Sequence, residues 1–283
     1  MISNSVKFLL NDKLIEIKNP DPNQTLLNYI RTELKKTGTK EGCSEGGCGA
    51  CTIVLGELVD NKIEYKAINS CISFVPSLNG KQLIIVEDLV SENGKLHPVQ
   101  DAMVKFHGSQ CGFCTPGFVM SLFSMFKNNK SLNNELITDS ISGNLCRCTG
   151  YRPIIDAAKS LNKINKNDQF SKNKNKVIQQ LKKIKPKNIY IKKDDKIYFS
   201  PKNIKDLKGI IKKHSNFSFL AGGTDLSLKV TKERKEIPFI IDLKEINELD
   251  FIKVSKNYLE VGAATPLIKF EREIKKYYPD FYF

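Results

Sequence analysis

The eight cysteines of this chain limit its fold more than any other feature, because they fall into two groups of four. In the first group, three cysteines have the spacing C-x4-C-x2-C and the fourth lies further along the chain. In the second group, a C-x2-C pair and a C-x-C pair flank residues 115–145. Four thiolates that converge on one site need tight loops on a firm scaffold. The first group is Cys43, Cys48, Cys51 and Cys71, and the second is Cys111, Cys114, Cys146 and Cys148.

The first group has the spacing of the loop that binds a 2Fe–2S cluster in plant-type ferredoxins. Its loop, residues 42–51, reads GCSEGGCGAC and contains four glycines. Glycines let the backbone approach a cluster closely and aim N–H groups at its sulfurs. Cys71 follows a predicted pair of strands and closes the site. We therefore expect a 2Fe–2S site here.

The second group leaves two kinds of metal site open on spacing alone. Paired cysteines of this kind bind either a 2Fe–2S cluster or a structural zinc ion. The first pair precedes a helix that has Pro116 near its start, and the second pair follows another helix, so two helix-flanking loops would meet. The histidines are expected to be ordinary polar or core residues rather than ligands. They are His97, His107 and His214.

The chain lacks the features of an exported or membrane protein. Asn11-Asp12 interrupts the first apolar patch, unlike in a signal peptide, and no run of about 18 apolar residues predicts a membrane span. We expect a cytoplasmic protein, in which disulfides are rare. The formal charge is +14, and 40 of the 45 basic residues are lysines. Aromatic–basic interleaving is absent, so we interpret this charge as compositional bias and expect no nucleic-acid partner.

Hydrophobic periodicity predicts an α+β multidomain protein. Alternating apolar residues with one capped helix predict a small sheet domain over 1–88. Apolar residues at helical spacing predict a helical domain over 89–161. Residues 162–188 hold nine lysines and few apolar residues, which predicts an unfolded linker. Residues 189–283 mix strand and helix patterns and predict a third domain.

Four segments of the sequence resemble the xanthine dehydrogenase family of molybdenum hydroxylases. The resemblance is to the iron–sulfur and FAD subunit, and it implies a β-grasp 2Fe–2S ferredoxin-like domain, a helical 2Fe–2S-binding four-helix domain and the truncated start of a PCMH-type FAD-binding domain. It also favours a cluster over zinc in the second group, so that all eight cysteines would ligate two clusters. The segments are TGTKEGCSEGGCGACT at 37–52, NSCISFVPSLNGK at 69–81, GSQCGFCTPG at 108–117 and GNLCRCTGYRPI at 143–154.

The resemblance also implies cofactor contacts outside the cysteines. Residues 219–226, which read FLAGGTDL, resemble the family's FAD pyrophosphate loop, where a Gly-Gly turn lets amides approach phosphate oxygens. Val261 resembles the end of the next FAD-contacting strand. Gln110 resembles the residue that faces the molybdopterin, and Cys148 the cluster ligand nearest to it. The implied FAD residues of the loop are Phe219, Leu220, Ala221, Gly222, Gly223, Thr224, Asp225 and Leu226.

The activity that the resemblance implies is electron transfer within a xanthine dehydrogenase. Electrons from a molybdopterin-binding large subunit would pass through two clusters to FAD and then to NAD+, in a hetero-oligomer whose catalytic residues lie on the partner. The fused FAD segment favours this over the equivalent subunit of an aldehyde, carbon monoxide or heteroaromatic-acid hydroxylase. A stand-alone electron carrier and a zinc-stabilised interaction module are further alternatives. The third domain is shorter than the family's, so we expect a fragment, a truncated product or half of a split gene, whose FAD binding needs a test.

Overall fold

A computed structural model describes residues 2–184 and 188–281. The amino-terminal domain is a five-stranded sheet in the order β3-β2-β6-β4-β5. β2 and β6 are parallel and the other neighbours are antiparallel, as in a β-grasp sheet. The strands of this part of the chain are β1 (Ile2–Ser3), β2 (Ser5–Leu10), β3 (Lys13–Lys18), β4 (Thr52–Val59), β5 (Lys62–Asn69) and β6 (Gln82–Ile84).

Both faces of this sheet are buried, because alternate residues of a strand point to opposite sides. Phe8 on β2 and Leu55 on β4 pack with one hydrophobic core, whereas Leu9 and Val54 beside them pack with another. Thr25 caps the short helix α1 (Leu26–Asn28) on the first face. The sheet therefore lies between two other layers of the molecule.

The layer on the second face is a bundle of four helices. The third helix of the chain runs along the sheet, and its residues 117–126 are buried without interruption. Such a helix is apolar on all sides because it is the centre of its domain. The helices are α2 (Pro98–Lys105), α3 (Thr115–Asn128), α4 (Asn134–Ile141) and α5 (Arg152–Ser160).

The predicted linker over 162–188 is wrong for most of its length, because α6 (Gln169–Lys183) is a helix. Its buried residues are Phe170, Val177 and Leu181. These positions recur on one helical face, so the lysines are left on the solvent side. The high charge of this segment suggested disorder. Three apolar residues on one face are nevertheless enough to hold the helix in place when they pack against a neighbouring hydrophobic core.

A buried polar cluster fixes the start of α6. Asp168 caps the helix by accepting from the Ser171 N–H at 2.8 Å. The same carboxylate contacts His97 Nε2 at 3.0 Å and Lys127 Nζ at 2.7 Å. His97 Nδ1 accepts the Val99 N–H at 3.2 Å, so the histidine is a structural core residue. The carboxylate thus joins α6 to α2 and α3.

The third domain contains a second five-stranded sheet in the order β1-β7-β8-β10-β9. Its edge strand comes from the amino terminus, since β1 pairs in parallel with β7. A separate pair, β11-β12, follows. The elements are β7 (Asn188–Lys193), β8 (Lys196–Ser200), α7 (Ile204–Ile211), β9 (Ser218–Leu220), α8 (Leu228–Thr231), β10 (Phe239–Asp242), β11 (Ile252–Val254), β12 (Leu259–Val261) and α9 (Leu267–Ile274).

The first and third domains share a hydrophobic core and a network of ion pairs. Val6 and Phe8 pack in one cluster with Ile189 and Tyr198. Beside this core, the Lys81 ammonium lies 3.2 Å from the Glu245 carboxylate and is almost fully buried. Paired, hydrogen-bonded charges are the form in which charge is tolerated inside a protein. No helix of the described residues has the length and apolarity to cross a lipid bilayer.

Candidate redox site

The first cysteine group surrounds one point at the end of the β-grasp sheet. Cys43 and Cys48 exchange hydrogen bonds, each N–H donating to the other's sulfur at 3.3 Å. The N–H of Glu45 donates to the Cys43 sulfur at 3.4 Å. Cys51 and Cys71 are each 2% exposed and pack in one buried cluster. The four sulfurs therefore form two adjacent pairs.

Glycine is required in this loop at positions where a side chain would displace a ligand. A Cβ on Gly42 would lie 2.8 Å from the Cys48 sulfur. Gly46 has a φ of +79°, which residues with side chains rarely adopt. Both features bring backbone N–H groups close to sulfur, which is the arrangement that stabilises thiolates in iron–sulfur sites.

The second cysteine group lies at the end of the helical bundle and is more exposed. Cys111 and Cys148 are exposed, with their sulfurs 3.5 Å apart. Cys114 directly precedes α3, and burial together with the neighbouring Cys146 sulfur raises the pKa of Cys114 to about 12. Each pair takes one cysteine from the loop before α3 and one from the loop before α5. The two predicted helix-flanking loops thus meet.

The pKa values of the thiols reflect this pairing. The Cys71 thiol donates to Cys51, which lowers the pKa of Cys51 to about 7 and raises the pKa of Cys71. The Phe113 N–H and the Cys148 thiol together lower the pKa of Cys111. A lowered pKa favours the thiolate, which is the form of cysteine that binds metal.

Pairs of this kind fit a two-iron cluster, in which four thiolates divide between two irons. All eight cysteines are free. In residues 2–184 and 188–281, no three His, Cys, Asp or Glu side chains converge closely enough to share a single metal ion. The sulfurs instead present two pairs per site, with N–H donors aimed at them. The four paired sulfurs of each group, and the glycine-rich loop of the first group, therefore fit a 2Fe–2S cluster at each site.

The two sites are joined by backbone contact. The N–H of Leu145, which precedes Cys146, donates to the Cys48 carbonyl at 2.9 Å. A Cβ on Gly117 of α3 would lie 2.2 Å from the Gly49 carbonyl oxygen, so the helix and the first loop touch directly. This hydrogen bond thus links Cys48 of the first group to Leu145, the residue next to Cys146 of the second group.

Asn144 holds this junction together. Its side chain is 3% exposed. Its Nδ2 donates to the Gly49 carbonyl at 3.0 Å and to the Thr52 hydroxyl at 3.2 Å. Its Oδ1 accepts from the Ser121 hydroxyl at 2.6 Å. Asn144 lies within the segment 143–154 that resembles the family, but the sequence alone indicated no role for it. A single asparagine forms no spacing pattern that could be recognised.

Residues 219–226 comprise the end of β9 and most of the connection from β9 to α8. Leu220 is buried, Phe219 is 48% exposed, and Ala221, Gly222, Thr224 and Asp225 are exposed. Gly223 has a φ of +91°. Within the described chain, the N–H groups of Gly222, Gly223 and Thr224 have no protein acceptor. Gly223 is buried, whereas Gly222 and Thr224 are exposed. Free N–H groups such as theirs, beside the Thr224 hydroxyl, are the kind of donors that a pyrophosphate binds, so this loop fits the phosphate part of FAD.

This loop rests directly on the first cysteine group. The Ser227 hydroxyl donates to the Ile72 carbonyl at 2.7 Å. A Cβ on Gly223 would come within 2.9 Å of the same oxygen. Leu228 packs in one cluster with Cys51 and Cys71. Ser227 and Leu228 were missed from sequence, because their partners lie about 155 residues away along the chain.

Two other predicted residues lie apart from this loop. Val261 ends β12 and is 39% exposed. No strand pairing or hydrogen bond joins it to residues 219–226 within the described parts of the chain. Gln110 is exposed beside Cys111, on the side of the helical domain where Cys148 is also exposed.

The sequence matches three family models in series. They are a 2Fe-2S iron-sulfur cluster binding domain over residues 8–76, a [2Fe-2S] binding domain over 85–159 and an FAD binding domain in molybdopterin dehydrogenase over 191–282. The chain belongs to the molybdenum hydroxylase family. Its fold is therefore a ferredoxin-like domain, a helical cluster-binding domain and the start of the family's FAD-binding domain.

Similar proteins support this assignment. Xanthine dehydrogenase of Blastobotrys adeninivorans is 52% identical over 55% of this chain and 11% of its own length. Xanthine dehydrogenase of Calliphora vicina is 30% identical over 95% of this chain and 23% of its own length. The chain thus spans less than a quarter of these relatives. Among solved structures, aldehyde oxidoreductase from Desulfovibrio gigas has a TM-score of 0.50 and 32% identity, covering 57% of this chain and 17% of that chain.

Proposed function

We propose that this chain is the electron-transfer subunit of a molybdenum-dependent xanthine dehydrogenase. In this proposal, the eight cysteines ligate two 2Fe–2S clusters and residues 219–226 bind FAD. A partner subunit supplies the molybdopterin centre, and NAD+ is the final acceptor. Each bound cluster supplies one-electron chemistry, and FAD links single electrons to hydride transfer.

The observation that carries the proposal is the order of the sites through the molecule. The second group has two exposed cysteines, and the first group has two buried and two half-buried cysteines. Ser227, which directly follows the FAD loop, donates to the carbonyl of Ile72, the neighbour of Cys71. Between the two groups, Leu145 donates to the Cys48 carbonyl at 2.9 Å. This order supports a path that begins at an exposed surface and ends at a flavin.

The chain's own residues hold the sites and shield them. Asn144 fixes one cysteine loop against the other through three hydrogen bonds. Burial of Cys51 and Cys71, against which Leu228 packs, shields this half of the first site from water. Backbone N–H groups near the sulfurs stabilise negative charge there. None of these residues is proposed to act on the substrate.

The surface around the second group supports a protein partner. Phe113 lies between Cys111 and Cys114, Leu145 directly precedes Cys146, and the two are 47% and 56% exposed. Exposed apolar side chains grouped near a functional site are typical of interaction surfaces. We propose that the molybdopterin-binding partner covers this surface, and that Gln110 and Cys148 face its cofactor.

Aldehyde oxidation is the second candidate. It is favoured by the similarity to the Desulfovibrio gigas aldehyde oxidoreductase, which is 32% identical over the matched part. The substrate-binding residues of either enzyme would lie on the partner, so this chain carries the same electron-transfer role in both cases. The substrate therefore has to be identified by experiments on the whole complex.

The complex isolated from the native host through a tag on this chain tests the proposal. Xanthine is added anaerobically, and the visible absorbance of the clusters is followed before and after NAD+ is supplied. We expect xanthine to bleach the absorbance and NAD+ to restore it. Bleaching by an aldehyde but not by xanthine would establish the second candidate instead, and bleaching by neither would contradict both.

A further inference from the structure

Lys232 reaches from the FAD-binding domain to the loop of the first cysteine group. It follows α8 directly, and its ammonium donates to the Cys43 carbonyl at 3.1 Å. The same ammonium lies 3.1 Å from the Glu45 carboxylate. These two groups belong to a loop almost 190 residues away in the chain. The lysine therefore bridges the third domain to the first.

The two partners of Lys232 belong to the immediate surroundings of a cysteine sulfur. Its carbonyl partner is Cys43 itself. Glu45, its carboxylate partner, donates its own N–H to the Cys43 sulfur at 3.4 Å. An ion pair that holds Glu45 in place thus also holds an N–H donor against the sulfur. Hydrogen bonds to sulfur are among the features that set the potential of an iron–sulfur cluster.

The charge of Lys232 acts in the same direction as this hydrogen bond. A 2Fe–2S cluster with four thiolates becomes more negative when it takes up an electron. A nearby positive charge therefore stabilises the reduced state more than the oxidised state. The side chains of Lys232 and Glu45 are 47% and 48% exposed, so solvent weakens the charge effect without removing it.

We propose that Lys232 is a positioning residue that raises the reduction potential of the cluster at the first site. The inference rests on the proposed function, because it requires that Cys43 ligates a 2Fe–2S cluster. It adds that docking of the FAD-binding domain tunes that cluster. The cluster is then easier to reduce when the lysine is present than when it is absent.

Matched substitutions on the same segment separate this role from a general loss of charge. Lys232→Met removes the charge and keeps an unbranched side chain only one atom shorter, whereas Lys232→Arg keeps the charge. Lys229→Met makes the same charge change at an exposed position of α8. Each variant of the full chain is titrated anaerobically, and both clusters are followed by EPR.

We expect Lys232→Met to lower the ratio of reduced to oxidised first cluster by about three- to tenfold at a fixed potential, where tenfold is about 59 mV for one electron. In Lys232→Arg the ratio of reduced to oxidised first cluster stays within about twofold of the wild-type ratio, and in Lys229→Met it is unchanged. The second cluster serves as an internal control and keeps its potential in all variants.

A double-mutant cycle tests the positioning role. Glu45→Gln alone removes a negative charge and should raise the potential. If both residues act only through their charges, the change in potential of the double variant equals the sum of the two single changes, which have opposite signs. If Lys232 acts through Glu45, the two effects are not additive. Equal potentials for Lys232→Met and Lys229→Met would overturn the inference. Absence of clusters from the wild-type chain would instead overturn the proposed function.

Discussion

Single cysteines are the residues on which the redox sites depend most directly. Each sulfur belongs to one pair, and each pair belongs to one of two separate sites. A change at one site should therefore leave the other intact. This independence allows the two groups to be tested one at a time.

Replacing a ligand in each group should remove one cluster at a time. We expect Cys71→Ser and Cys111→Ser each to lower the iron content from about four to about two atoms per chain and to abolish one of two EPR signals. Iron analysis and EPR of the reduced protein measure this. Circular dichroism confirms that each variant is folded. Loss of both signals from a folded variant would mean that the sites are not independent.

Asn144 contributes to stability because three buried groups depend on its amide. Asn144→Ala leaves the Gly49 carbonyl and the hydroxyls of Thr52 and Ser121 without this partner. We expect a loss of about 2–4 kcal/mol in the free energy of unfolding. Asn173→Ala, at an exposed position of α6, is the control and should change it by less than about 0.5 kcal/mol. Equal effects of the two substitutions would contradict the role of Asn144.

Sequence reasoning found the residues whose spacing repeats a known pattern and missed those whose partners are distant in the chain. The eight cysteines were found from their spacing, and the Gly222-Gly223 turn was found from the resemblance of residues 219–226 to the family's FAD loop. Ser227 and Lys232 contact residues that are more than 150 positions away, and no local pattern marks such contacts. The ligand role of the cysteines remains a prediction, which the substitutions above test.

At the scale of secondary structure, α6 shows how local composition misleads. Its sequence is rich in Lys, Asn and Gln, which favours disorder when judged by charge alone. The helix forms because Asp168 caps it and a stripe of apolar residues meets the helical domain. The mixed strand and helix pattern of residues 189–283 was easier to recognise, because strands such as Lys196–Ser200 have a local period and a local flanking turn.

The stability of α6 should depend on its buried face and not on its lysines. Leu181, which is 4% exposed, packs in the core of the helical domain. We expect Leu181→Ala to cost about 2–4 kcal/mol and to speed tryptic cleavage near Lys182 and Lys183. Gln179→Ala, on the exposed face, should do neither. Rapid cleavage of the wild-type chain within 172–183 would instead support the unfolded linker.

At the scale of the whole molecule, buried charges join the first and third domains. Burial alone would raise the pKa of Glu57, but Lys244, Lys81 and Lys66 outweigh it and lower the pKa from 4.5 to about 2. For Glu245, Lys81 and Lys202 likewise outweigh burial and lower the pKa to about 2. Ionised carboxylates therefore stabilise the domain interface.

This network predicts a loss of stability in acid. A carboxylate whose pKa is lower in the folded state stabilises the fold above its unfolded pKa and loses that contribution as the pH falls. For Glu57 and Glu245 the contribution is complete above about pH 4.5 and disappears towards pH 2.

The pH dependence is measured as the difference in free energy of unfolding between wild type and Glu245→Gln. We expect this difference to be largest near pH 7 and to shrink as the pH falls below about 4.5. Glu92→Gln, at an exposed position, should show no such trend. A difference that is constant from pH 7 to pH 3.5 would contradict an ionised Glu245 at the interface.

The central claim is that this chain carries two different 2Fe–2S sites, and EPR of the anaerobically purified chain tests it most directly. Spectra are recorded before and after dithionite, together with iron, sulfide and zinc contents. The account predicts two distinct rhombic signals on reduction, with about four irons and four acid-labile sulfides per chain. A colourless, EPR-silent chain that contains zinc would contradict it and would leave the cysteines a structural role.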